Sequence, residues 1–186
     1  FDIYQQKTVL LRLFFWEFIY SVTDISKFLE VAQSVSTKAQ PEHLEIIHHG
    51  HTSDGLAYTI WPFENLESIS RLLDRNGPFE ADIALSICRD IAVCLDNFYE
   101  KTGIGHFNLN TNKIYLNSQG DVRLSDLGHS AFLLNDENFI DDESDYFNER
   151  FLAPEIVLDG TSPDLRSDIF SMGANLYFMI VGERPF

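Results

Sequence analysis

Apolar and polar positions alternate over short runs in the first third of the chain. Residues 1–4 and 8–14 are predicted as strands, separated by a polar turn at Gln5, Gln6 and Lys7. Ile25, Phe28, Leu29, Ala32 and Val35 then recur at helical spacing, with Thr23 or Ser21 as the cap. Residues 44–47 and 56–61 are predicted to form a hairpin around Ser53, Asp54 and Gly55.

After Pro62 the rhythm lengthens. Helices are predicted over 66–76 and 81–101. In the second, Ile83, Ile87, Ile91, Cys94, Leu95 and Phe98 make one apolar stripe. Short strands follow at 114–116 and 122–124, around a turn of Gln119, Gly120 and Asp121. An acidic loop carries Asp136, Glu137, Asp141, Asp142, Glu143 and Asp145. The stretch from 167 to 181 is apolar nearly all round, which predicts a central buried helix, and Gly182 is a natural stop. Strands first and helices second predict an α+β fold in two lobes. The boundaries expected are a small lobe over 1–61, a hinge over 62–66 and a large lobe over 67–186.

Charge narrows the function classes. Against 13 Lys and Arg stand 29 Asp and Glu, a net charge of −16. Nucleic acid and anionic membrane surfaces call for clustered Lys and Arg, so neither is expected as a partner. The stretch from 9 to 22 is broken by Arg12 and Glu17 and is too short to span a bilayer. Cys88 and Cys94 lie six apart, with neither a metal-binding spacing nor a disulfide framework. They read as thiols in a reducing compartment, and a cytoplasmic location is expected, with room for a membrane tether elsewhere in the parent protein. A chain running from Phe1 to Phe186 is expected to be a fragment, since it stops inside a recognisable motif.

Those motifs carry the chemistry. His106-Phe107-Asn108-Leu109-Asn110 resembles the catalytic loop of protein kinases, His-Arg-Asp-Leu-Lys. Asp126-Leu127-Gly128 resembles Asp-Phe-Gly, and Ala153-Pro154-Glu155 is the family's Ala-Pro-Glu. The run from Arg166 to Gly173 resembles the start of the central helix, and 182–186 its end. In this order and spacing the set is specific, and it is most similar to bacterial Ser/Thr kinases of the eukaryotic-like type. The resemblance covers essentially the whole chain. It implies a bilobal protein-kinase-like fold, with the glycine-rich loop preceding Phe1 and the last helices following Phe186.

The resemblance also implies roles, position by position. Asn108 stands where the catalytic Asp belongs, and a neutral amide does not accept the substrate's proton. Asn110 stands where the loop Lys belongs. Lys113 replaces the second metal ligand, and an ammonium repels Mg²⁺. Asp126 alone survives as a metal ligand, and Lys113 is expected to pair with it. Arg12 aligns with the phosphate-binding Lys, a swap that keeps the charge and changes the shape. Its helix partner aligns with Val31, with Glu30 one residue away. Leu10, Trp61 and Tyr115 align with the adenine pocket, where their bulk is expected to fill the space, and Glu64 lies in the hinge. Phe107 replaces the Arg that would read a phosphorylated loop, and Asn148 a substrate-binding Thr. His106, Leu127, Gly128, Ala153, Pro154, Glu155, Asp168 and Gly173 match the residues that hold the fold.

This pattern implies a pseudokinase, a regulatory or scaffolding module that binds protein partners and needs no cofactor. The rival is an active or weakly active Ser/Thr protein kinase using ATP and Mg²⁺. A third reading is a nucleotide-binding switch without catalysis. Phe14, Phe15, Trp16, Phe18 and Tyr20 form a dense aromatic run, which either packs the small lobe or docks a partner. His48, His49 and His51 read as surface histidines ahead of a metal site, because alternate strand residues face opposite sides.

Overall fold

The computed structural model describes residues 7–14, 26, 29–33, 46–128, 130, 149–157, 163–183 and 185. The expected strand at 1–4, the helix caps, the acidic loop, His129, Asn148 and the aromatic residues 15–20 lie outside them.

The first sheet has three antiparallel strands in the order β1-β3-β2: β1 (Val9–Phe14), β2 (His48–His51) and β3 (Ala57–Pro62). Leu10 pairs with Trp61 and Arg12 with Thr59, so the four share one face. That face is the buried side of β3, where Ala57, Thr59 and Trp61 are all covered. Ala32, from the helical residues 29–33, packs into the same core.

The hairpin sits four residues later than the hydrophobic pattern indicated. β2 is His48–His51, not 44–47, and Ile46 and Ile47 precede it. The turn decides the register. Thr52 donates its N–H to the Leu56 carbonyl at 2.8 Å, and Gly55 donates to Thr52 at 3.0 Å. The residues just before that turn must be the strand, although they are polar. They hold an outer position in the sheet, and His48 stacks on Tyr58 at 5.8 Å.

A second sheet runs β4-β5-β6: β4 (Glu67–Ser68), β5 (Ile114–Leu116) and β6 (Val122–Leu124), again antiparallel. The helix predicted from 66 therefore begins later, as α1 (Ile69–Asn76). Ser68 ends the strand and caps the helix, accepting the Arg71 N–H. α2 (Ala81–Thr102) follows the prediction closely, and Gly103 closes it in the left-handed conformation. Its buried residues include Ile87, Ile91, Cys94, Leu95 and Phe98, while Ile83 is half-exposed. α3 (Pro154–Val157) is a single turn after a 3₁₀ turn at Glu149–Phe151. α4 (Leu165–Val181) starts with a capping box between Asp164 and Ser167.

Within the described residues, α4 buries one face and exposes another. Its buried face is mostly polar: Ser167, Asp168, Ser171 and Asn175 beside Ala174 and Met179. Ile169, Tyr177, Ile180 and Val181 are exposed among the described residues. Hydrogen bonding sets the inward face. Ser171 donates to the Phe151 carbonyl at 2.7 Å, and Asn175 donates to the Leu109 carbonyl at 3.1 Å. A helix that supplies partners to buried loop backbone must turn its polar side inward. No described helix is long and apolar enough to cross a membrane.

Candidate functional site

The loop after α2 is held from below. Asp168 of α4 accepts the backbone N–H groups of His106 and Phe107, both at 2.7 Å. Gly105 is required here, since an added Cβ would meet the Phe107 ring and the Asp168 carboxylate. Phe107 takes a positive φ of 58°, which turns the chain toward the site. The His106 ring is fully buried, with Nε2 at 2.9 Å from the Ser125 carbonyl. The loop is thereby tied to the segment after β6 that carries Asp126.

Burial shifts these two groups in opposite directions. Burial lowers the His106 pKa to about 4, with Lys113 adding to the effect. Burial raises the Asp168 pKa to about 6, against the pull of its two N–H donors. The His106 contribution to stability is complete above pH 6.5 and fades as pH falls toward 4. The Asp168 contribution is complete below pH 3.8 and is lost as pH rises through 6. The slopes oppose each other, so the pair leaves stability nearly level across the shared window. Asp168→Asn removes one side. Its stability deficit against the native chain, read by urea unfolding, is expected to shrink by about 3 kcal/mol between pH 4 and 6.5. A deficit that stays constant or widens would mean that the two N–H donors hold Asp168 charged.

Asp126 is completely buried and sits at a positive φ of 64°. Two cations converge on it. Arg12 of β1 pairs with Oδ1, and the Lys113 ammonium lies 3.9 Å from Oδ2. The expected Lys113–Asp126 pairing is present, and Arg12 joins it. Glu30 is exposed, and Val31 is half-buried against the core. Lys113 is almost fully buried, and burial pushes its ammonium below the usual lysine range, with Asp126 acting in the opposite direction.

Asn108 and Asn110 are both buried, and the Asn110 amide lies 3.5 Å from the Asn108 side-chain oxygen. Asn110 Oδ1 accepts the Asn112 N–H at 3.1 Å. Leu127 is packed in the core, and Gly128 takes a φ of 77°. Glu155 accepts a hydrogen bond from Ser167 at 2.7 Å, which joins the Ala153-Pro154-Glu155 turn to α4.

A cleft of about 710 Å³ opens above these residues. Leu10, Arg12, Trp61, Glu64, Tyr115 and Asp126 all line it, together with Lys113 and Asn110. The expectation that Leu10, Trp61 and Tyr115 fill this space is overturned. Leu10 stands at the rim, half-exposed. Trp61 is buried and donates its indole N–H to the Thr59 hydroxyl at 2.8 Å, which fixes the ring along the strand. The remaining volume is within the range of small-molecule pockets. Glu64 lies 3.7 Å from Arg123, so this carboxylate leans toward the β6 side.

Two contributions were not foreseen in the sequence. Arg71 of α1 lines the cleft, yet its pattern is that of any exposed helix residue. Asn175 holds the loop at the Leu109 carbonyl, and Ser171 holds the 3₁₀ turn at the Phe151 carbonyl. Their signal is readable, since polar residues four apart with Ser167 and Asp168 mark one face of α4. Among the described residues no group of three or more His, Cys, Asp or Glu side chains is placed to hold a metal ion, His48, His49 and His51 included.

Residues 26–186 match the protein kinase domain model. The chain belongs to the protein kinase family. It is 26% identical over 86% of its length to the serine/threonine-protein kinase PknB of Mycobacterium leprae, covering 26% of that protein. Against the serine/threonine-protein kinase PrkC of Bacillus subtilis it is 23% identical over its whole length and covers 28% of the relative. A probable serine/threonine-protein kinase of Clostridium perfringens is 24% identical over 87% of the chain and 23% of that protein. The chain thus spans about a quarter of the length of the curated relatives it matches.

Proposed function

We propose that this kinase domain is catalytically inactive and serves as a regulatory or scaffolding module that binds protein. The observation that carries the reading is Asp126 held between Arg12 and Lys113. Phosphoryl transfer needs a carboxylate free to anchor metal and a base to orient the attacking hydroxyl. Here the carboxylate faces two cations, one of them in the place of the second metal ligand. Asn108 offers an amide where the base belongs, and loss of a positioned base alone lowers rate by on the order of 10²–10⁴. The loop's anchoring by Asp168 and His106 is compatible with a domain kept for its shape. In this reading a small lobe over 1–61 and a large lobe over 67–186 meet at a hinge over 62–66. The protein works in the cytoplasm, and the aromatic run from Phe14 to Tyr20 is the docking segment.

The test is phosphate transfer from radiolabelled ATP by the whole protein, to itself and to a basic protein substrate, with Mg²⁺ or Mn²⁺. No incorporation above a heat-inactivated control is expected. Incorporation that Asp126→Asn abolishes would make the domain an active Ser/Thr protein kinase and end this reading.

The open cleft favours a second reading over a purely inert scaffold. With about 710 Å³ free beside Arg12, the domain has room to bind a nucleotide and act as a switch without chemistry.

A further inference from the structure

Strand β2 carries three histidines, His48, His49 and His51, around Gly50. It is an outer strand of its sheet, hydrogen-bonded to β3. Strand alternation splits the three rings between two faces. On one face His48 stacks on Tyr58, with centroids 5.8 Å apart and Nδ1 3.5 Å from the Tyr58 hydroxyl. Tyr58 also covers Gly50, where an added Cβ would come within 2.9 Å of that hydroxyl. His49 pairs with Thr59, on the buried face of β3. His49 is half-buried, and its Nδ1 is buried with no hydrogen-bond partner. The Thr59 hydroxyl opposite already accepts the Trp61 indole N–H.

That position suits a neutral ring and not a charged one. A neutral imidazole keeps a lone pair on one nitrogen, whereas the protonated ring carries N–H on both. Protonation of His49 therefore strands a charged donor where water does not reach. The groups around it do not offset the charge. β3 brings Tyr58 as its titratable side chain, and Arg12, beyond Thr59 in the same row, is a further cation. The His48 ring is 6.5 Å away. Asp54 lies in the turn, where the Ser53 hydroxyl donates to it at 3.4 Å, and Glu30 is exposed on the helical residues 29–33. No carboxylate among the described residues raises the His49 pKa; burial lowers it, and His48 lowers it further.

We propose that β2 is an acid-released strand: protonation of His49 detaches residues 48–51 from β3 while the helices stay folded. Both ends of the strand are anchored. Ile46 is buried in the core, and the turn closes through Thr52 and Leu56. Between these anchors the four residues bow outward, the His49 ring reaches water, and neutralisation returns them. The opening uncovers the β3 backbone from 57 to 60, an edge that an added strand could pair with. Pairing favours the neutral ring, so it is at full strength above pH 6.5 and weakens as pH falls below that value. One proton is involved, so the open population grows by at most about tenfold per pH unit. The device is independent of any chemistry in the cleft.

The experiment is hydrogen exchange on the whole protein at about pH 7 and about pH 5.5, the range in which histidine titrates, corrected for the intrinsic rate. Protection of residues 47–51 is expected to fall about three- to tenfold relative to α2. Helix α2 serves as the reference because it carries the share of His106 and Asp168 in whole-domain stability. His49→Gln stays neutral at every pH and is expected to keep protection level. In the native chain, the His49 ring signal in an NMR titration is expected to have a midpoint below pH 6.5 that coincides with the loss of protection. Unchanged protection at 47–51, an equal fall in α2, or the native pH dependence in a folded His49→Gln protein would each overturn the proposal. Should that variant not fold, the ring titration decides, and a midpoint at or above 6.5 overturns it.

Discussion

Replacing Asp126 by Ala is expected to lower the melting temperature by roughly 6–20 °C. The carboxylate is fully buried between a nearly buried Lys113 and a part-exposed Arg12. Taking it away leaves two cations facing each other with no negative charge between them. Breaking a buried ion pair in this way destabilises by about 3–5 kcal/mol, and each kcal/mol moves the midpoint by roughly 2–4 °C in a chain of this size. The partial exposure of Arg12 places the expected loss toward the lower end, since its guanidinium can turn to water. A carboxylate kept for metal binding behaves in the opposite way. In the absence of metal it stands among other acidic ligands, and its removal relieves repulsion. The sign of the change therefore separates a structural Asp126 from a catalytic one. Lys113→Met is the companion. It leaves the Arg12–Asp126 pair in place, so its cost is expected to be at most half that of Asp126→Ala. Differential scanning calorimetry in EDTA reads both. An Asp126→Ala protein that melts at or above the native temperature would remove the ion-pair account and, with it, the main support for inactivity.

The second large effect is expected at Asp168, some way from the cleft. Its two oxygens receive the N–H groups of His106 and Phe107 at 2.7 Å, and both donors are buried. Asp168→Ala strands two backbone donors where water has no access. Each buried donor left without an acceptor costs about 1–3 kcal/mol, so the variant is expected to lose about 2–6 kcal/mol. A domain with a total stability of about 5–15 kcal/mol survives this only in part. The predicted result is a sharp fall in soluble yield, with the remaining protein more open to protease at the loop over 105–113. Asp168→Asn keeps one acceptor and is expected to recover about half of the loss. Equal stability of Ala and Asn variants would mean that the loop is held by Asn175 instead.

The kinase family was legible in the sequence. Short motifs in fixed order locate the catalytic loop, Asp126 and Glu155 without coordinates, because each performs a task that few residue types can do. Helix α2 was legible for a different reason: its apolar stripe and Gly103 each fix one aspect of a local structure. Even the Lys113–Asp126 pair followed from chemistry, since a cation and an anion placed at adjacent ligand positions attract.

Other features were decided only by tertiary structure. The β2 strand is a row of polar residues whose position follows from the turn at Thr52–Leu56, not from hydrophobicity. Helix α4 is apolar in sequence yet turns Ser167, Asp168, Ser171 and Asn175 inward, because the loop and the 3₁₀ turn beside it need hydrogen-bond partners. The cleft is the clearest case. Side-chain volume alone predicted that Leu10, Trp61 and Tyr115 would fill it, but volume carries no direction. Pairing of Leu10 with Trp61 across the sheet, and the indole bond to Thr59, aim the bulk along the walls and leave the space open. Residue type was enough to determine what charge each position brings. Where those charges meet, and how much room they enclose, depended on strand register and hydrogen bonds between segments more than a hundred residues apart, as Arg12 and Asp126 are.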